Sequence, residues 1–254
     1  MELVLLTAVG VGASTVIGAL IGFAFKNLSH KFSDIILSFA AGVMLAAAVL
    51  GLIIPSVEYG LPNGIPFALL ISVVGIFVGA LCLSLIDKIV PHLHALAGVE
   101  QESHPGEGLN KVMLFVMAIA IHNLPEGIAA GVGFGSGDTS GALIIAGGIA
   151  LQNIPEGMVI IAPMLASGVS KKRTLLIASL TGLVEVVGTL IGYLAVSISA
   201  AILPFALAFA GGTMLYVISD EMIPETHAHG SQRGATYALL GGFALMLCMD
   251  YLLG

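Results

Sequence analysis

The chain has 254 residues, 58% of them hydrophobic and only 9% charged, with a mean hydropathy of +1.09. A soluble domain carries about 25% charged residues, so a water-soluble globule is excluded, and one membrane domain spanning residues 1–254 is expected. The net charge of −7 rests on few, localised charges with no basic patch, which excludes nucleic acid as a partner.

A membrane-crossing helix needs about 20 mostly apolar residues. On that measure the chain holds eight spans, at 2–25, 34–57, 66–88, 112–134, 141–166, 173–197, 200–223 and 234–253. The expected fold is therefore an all-α polytopic membrane protein. Met1-Glu2-Leu3-Val4 lacks the basic start of a signal peptide, so the first span is read as retained. Connectors are short except at 89–111, a polar stretch with His92, His94, Glu100, Glu102, His104 and Glu107. It is expected to be a flexible loop, least ordered at 98–110, and too short to house a separate catalytic domain. Cys82 and Cys248 lie in distant apolar runs and read as small packed hydrophobes.

The eight basic residues give an orientation. Lys26, Lys31, Lys88, Lys111, Lys171, Lys172, Arg173 and Arg233 all fall beside connectors on one side of an eight-span topology. The positive-inside rule makes that side cytoplasmic, with both termini outside.

The sequence repeats internally. Span 2 contains Phe39-Ala40-Ala41-Gly42-Val43-Met44-Leu45, followed by Ile54-Pro55 and Glu58. Span 7 contains Phe209-Ala210-Gly211-Gly212-Thr213-Met214-Leu215, followed by Ile223-Pro224 and Glu225. These spans run in opposite directions. Spans 1–3 and 6–8 then form inverted repeats around a central hairpin of spans 4 and 5, a pattern of secondary transporters.

That hairpin carries the chemistry. Span 4 holds His122-Asn123-Leu124-Pro125-Glu126-Gly127 and span 5 holds Gln152-Asn153-Ile154-Pro155-Glu156-Gly157. A carboxylate at bilayer depth costs roughly 2.5–3.5 kcal/mol on insertion scales, so its presence marks a functional site. His122 and Glu126 share a helix face at i and i+4, as do Gln152 and Glu156. Pro125 and Pro155 remove the partners of the Ile121 and Leu151 carbonyls. Glu185 adds a third mid-span acid, and no lysine or arginine lies mid-span to neutralise the set. Protons or metal cations must do so. Carboxylate, amide and imidazole without thiolate suit Zn²⁺, Fe²⁺, Mn²⁺ and Cd²⁺, and three acids allow two ions with bridging carboxylates. Outside this set, His92-x-His94 and His227-x-His229 are candidate transient ligands on the cytoplasmic side. Glu58, Asp138 and Asp250, near outer span ends, are candidate cation attractors or ordinary helix-end residues.

These motifs resemble those of the ZIP family (Zrt/Irt-like proteins) of divalent metal transporters, in a compact prokaryotic branch, over essentially the whole chain. The resemblance implies a transport site of Met44, His122, Asn123, Glu126, Gln152, Asn153, Glu156 and Glu185. It implies one metal position lined by Met44, His122, Glu126, Gln152 and Glu156, and a second lined by Asn123, Glu126, Asn153, Glu156 and Glu185. It further implies exit ligands at His92, His94 and Glu221, and an outer mouth near Glu58 and Asp250. Spans 1, 4, 5 and 6 would move against 2, 3, 7 and 8, in a homodimer surrounded by lipid. Many relatives have a second histidine where this chain has Gln152, and some have aspartate where it has Asn153.

The expected function is transport of a divalent cation, zinc first and iron, manganese or cadmium besides, across the inner cell membrane into the cytoplasm. No Walker motif or prosthetic group is expected, nor an enzymatic activity. Two rivals use the same residues. An intramembrane metal-dependent hydrolase lacks a His-Glu-x-x-His motif and a spare acid–base group. A proton-coupled solute carrier lacks mid-span groups for an organic solute.

Overall fold

Backbone in hydrocarbon must satisfy its own N–H and C=O groups, which leaves helices as the route for such apolar runs. The computed structural model describes residues 1–25, 29–89 and 107–253, and its described elements are helical, with no strand among them. Eight long helices follow in order: α1 (Glu2–Ala24), α2 (His30–Asn63), α3 (Ile65–Ile89), α4 (Glu107–Gly135), α5 (Thr139–Ala166), α6 (Lys171–Ile198), α7 (Ala200–His227) and α8 (Gln232–Leu253). Among the described residues, all but α4 are long and apolar enough to cross a membrane. The 29-residue α4 covers the expected fourth span. Most of the expected loop, with His92 and His94, lies outside the described residues.

Local chemistry sets the helix ends. Ser29 starts α2 by accepting the Phe32 N–H at 3.2 Å, and Asp138 starts α5 by accepting the Gly141 N–H at 3.0 Å. These contacts satisfy amides that have no partner inside the helix. Gly137 and Gly168 close the turns flanking α5 at φ of 84° and 78°, a region where a side chain is penalised. The second span is longer than the expected 34–57 because Ser29 caps it early and it runs on to Gly64.

Two helices widen midway. In α2 a π-helical segment covers Ala47–Ile53, just before Pro55, and in α7 another covers Ile218–Met222, just before Pro224. A proline donates no N–H and crowds the carbonyl four residues earlier. A wider turn relieves that conflict without breaking the helix, and such turns recur at functional sites.

The helices pack as two groups. Within one, α1 lies along α5 and α6, and α4 lies along α6. Within the other, α2 lies along α8 and α3 along α7. The groups meet where α2 packs on α5 and α4 on α7, around a core that includes Met44, Leu52, Ile149, Leu207 and Met214.

Glycines allow the closest approaches. A Cβ on Gly12 of α1 would strike the Gly182 carbonyl of α6, and one on Gly182 would strike the Gly12 carbonyl. Several other contacts come in pairs. Gly18 faces the Ile154 backbone and Gly188 faces that of Leu124. Gly157 faces the Thr15 carbonyl and Gly127 that of Glu185. Gly42 faces the Leu239 carbonyl and Gly212 that of Ile76. Gly12, Gly18 and Gly42 on α1 and α2 stand as far before Gly182, Gly188 and Gly212 on α6 and α7 as Thr15 stands before Glu185.

Candidate metal centre

A helix turn places residues four apart on one face, and this brings the motif side chains of α4 and α5 to the middle of their group. Asn123, Glu126, Gln152, Asn153 and Glu185 are fully buried. His122 and Glu156 are half-buried. Met44 is fully buried on α2, in a core cluster against which Ile121 of α4 and Leu151 of α5 also pack. Glu126 lies within electrostatic reach of Glu156 and Glu185, and Glu156 within reach of His122.

Glu185 is held at both oxygens. Thr15 Oγ1 donates to Oε1 at 2.9 Å, and Asn153 Nδ2 donates to Oε2 at 2.6 Å. The same Asn153 nitrogen faces the Val11 carbonyl at 3.4 Å. His122 Nε2 meets Glu221 Oε1 at 2.9 Å, and this contact joins α4 to α7 across the two groups. Glu221, expected as an exit ligand, therefore sits directly at the edge of the site.

Several buried atoms of the site have no hydrogen-bond partner. They are both polar atoms of Asn123, both carboxylate oxygens of Glu126, both polar atoms of Gln152, and Asn153 Oδ1. Leaving such an atom unmet costs about 1–3 kcal/mol, more if charged. The oxygens among them, on α4 and α5, suit a cation that takes oxygen donors from more than one helix. Acids alternate here with amides, and no three His, Cys, Asp or Glu side chains among the described residues are grouped to hold an ion by themselves.

The outer-mouth candidates also converge. A cavity of about 370 Å³ is lined by Glu58, Asp138 and Asp250, with Leu207 and Ile145 among its apolar walls. The second histidine pair does not converge. His227 bonds the Ile223 carbonyl and Thr236, at 2.8 Å and 3.2 Å, and so ties the α7–α8 turn. His229 turns the other way, its Nδ1 3.1 Å from Asp34 Oδ1.

Sequence reasoning missed Thr15 and Asp34. Each has its partner far along the chain, so neither carries a local signal.

Residues 94–250 match the family model described as ZIP Zinc transporter. The chain is 43% identical to the zinc transporter GufA of Myxococcus xanthus, over 96% of each chain. It is 37% identical to the zinc transporter ZIPB of Bordetella bronchiseptica, over 95% of this chain and 78% of that one. It is 34% identical to the zinc transporter ZupT of Chlorobaculum parvum, over 92% of this chain and 91% of that one.

Proposed function

The chain belongs to the ZIP family of zinc transporters, and from that premise we propose that it admits Zn²⁺ to the cytoplasm through the mid-membrane centre on α4, α5 and α6. Its relatives are transporters rather than enzymes, and it is an integral membrane protein. The observation that carries the site is the set of unpartnered buried oxygens and amides on Asn123, Glu126, Gln152 and Asn153. A divalent ion meets what the oxygens among these groups lack, and the bare membrane interior does not.

In this reading two positions share the bridging carboxylates of Glu126 and Glu156. Met44, His122 and Gln152 complete one, and Asn123, Asn153 and Glu185 complete the other. Fe²⁺, Mn²⁺ and Cd²⁺ fit the same oxygen and imidazole donors. Ligand deprotonation makes metal binding release protons. Cations collect at the cavity of Glu58, Asp138 and Asp250, pass the centre, and leave by way of Glu221 and the histidines His92 and His94. Both termini face outward, as the one-sided distribution of basic residues supports. The repeat of spans 1 and 2 in spans 6 and 7 is supported by the paired glycine contacts at a constant displacement. The group of α1, α4, α5 and α6 moves against the other four helices, in a homodimer in the inner cell membrane.

The test is metal uptake by purified protein in liposomes loaded with a metal-sensitive dye, wild type beside Glu156→Ala. Uptake by wild type alone supports transport through this centre. Equal uptake by the variant sinks the site, and no uptake of Zn²⁺, Fe²⁺, Mn²⁺ or Cd²⁺ by folded, inserted wild type sinks the transport reading.

A further inference from the structure

Resting on the reading of Glu185 as a ligand, we propose that Thr15 of α1 is a positioning residue of the metal centre. Its hydroxyl fixes the Glu185 carboxylate and, through it, the orientation of the Asn153 amide. Thr15 is 1% exposed, and its Oγ1 donates to Glu185 Oε1 at 2.9 Å. A side chain this short reaches the carboxylate because Gly12 and Gly182 bring the α1 and α6 backbones together nearby.

An asparagine side chain has one donor end and one acceptor end. The donor end of Asn153 is turned to Glu185 Oε2 at 2.6 Å and to the Val11 carbonyl at 3.4 Å. The acceptor end, Oδ1, is what remains, and it is buried without a partner. An oxygen so presented is the donor a divalent ion takes. The amide's orientation is thus set by acceptors on α6 and α1, and Thr15 holds the charged one. Without the hydroxyl, Glu185 Oε1 lies buried with no donor. The carboxylate then has reason to turn, and the amide to turn with it.

The internal repeat shows why a hydroxyl suits this place. Thr15 occupies on α1 the position that Glu185 occupies on α6. Two acids facing each other there would repel, whereas a hydroxyl donor complements the single acid. The β-branch of threonine also limits its χ1, which aims the donor.

The experiment uses two pairs of side chains that differ at the hydroxyl: threonine against Thr15→Val, and Thr15→Ser against Thr15→Ala. Zn²⁺ uptake is measured in liposomes. In parallel, the Zn²⁺ concentration giving half-maximal thermal stabilisation is measured on the purified protein. Loss of a hydrogen bond to a charged group should raise KM and that concentration about tenfold in Thr15→Val and Thr15→Ala, with maximal rate within about twofold of wild type. Thr15→Ser should stay near wild type. If Thr15→Val does not fold, the serine–alanine pair decides. Wild-type KM in the variants without a hydroxyl overturns the proposal, as does a loss in Thr15→Ser equal to that in Thr15→Ala, which would make the effect one of packing. Glu185→Gln is run alongside. Unchanged KM in that variant removes Glu185 as a ligand and the role of Thr15 with it. Raised KM there beside wild-type KM in Thr15→Val removes Thr15 alone.

Discussion

Glu126 and Glu185 are both buried acids, yet their surroundings differ. Glu185 is held by Thr15 and Asn153, whereas both Glu126 oxygens lack a hydrogen-bond partner. If the ligand set is right, Glu126 has fewer protein contacts than Glu185 to replace a bound cation. Glu126→Ala and Glu156→Ala are each expected to reduce Zn²⁺ uptake in liposomes to the protein-free background, and retained uptake would contradict the ligand set. Gln152 is the neutral amide at the position matching His122 in the second motif. Imidazole suits zinc better than manganese, and oxygen donors do the reverse. Gln152→His should thus raise the preference for Zn²⁺ over Mn²⁺ by about tenfold in competition uptake, and an unchanged ratio would place Gln152 outside the coordination sphere. The acids, amides and His122 were legible in the sequence because polar groups stand out in apolar spans. Thr15 was not, because a membrane hydroxyl ordinarily bonds back to its own helix. Thr181, Thr189 and Thr213 do so, donating to the carbonyls of Ala178, Glu185 and Ala210. Nothing local sets Thr15 apart from them.

Helices α1 and α6 show how much of an element's role lies in what it omits. Gly12 and Gly182 each leave room for the other's carbonyl, and any Cβ must displace backbone. Gly182→Val should overpack this contact by about 1–3 kcal/mol, read as a lowered unfolding temperature of the purified protein. Gly10, with nothing near its absent Cβ, is the control: Gly10→Ala should leave that temperature unchanged or raised. Equal effects at the two positions would mean that glycine content, rather than close approach, sets helix spacing. The prolines at 55 and 224 were visible as irregularities. The choice of a π-helical widening over a kink was not, since it depends on how α2 and α7 pack against their neighbours.

At the scale of the molecule, the α2–α5 contact crosses between the two groups of helices. A Cβ built on Gly51 would lie 3.9 Å from Cβ of Ile145, within the usual span of a disulfide. In a background where Cys82 and Cys248 are replaced by serine, the double variant Gly51→Cys/Ile145→Cys should cross-link on mild oxidation. If the groups move against each other, oxidation should stop Zn²⁺ uptake and a reductant should restore it. Continued uptake by fully cross-linked protein would confine transport to a route that needs no such motion. His122 and Glu221 meet across the same boundary, so a motion of the groups would also break this contact.

The sequence by itself determined that this is a helical membrane protein, where its long apolar helices lie, and that acids, amides and a histidine stand mid-span in two matching motifs. Those conclusions follow from local chemistry: apolar length, proline and glycine positions, and the expense of a carboxylate in hydrocarbon. Tertiary structure alone decided which helices touch, that Thr15 and Val11 of α1 reach Glu185 and Asn153, that Glu221 reaches His122, and that Glu58, Asp138 and Asp250 share one cavity. Each of these joins residues far apart in the chain, which no local sequence pattern can register.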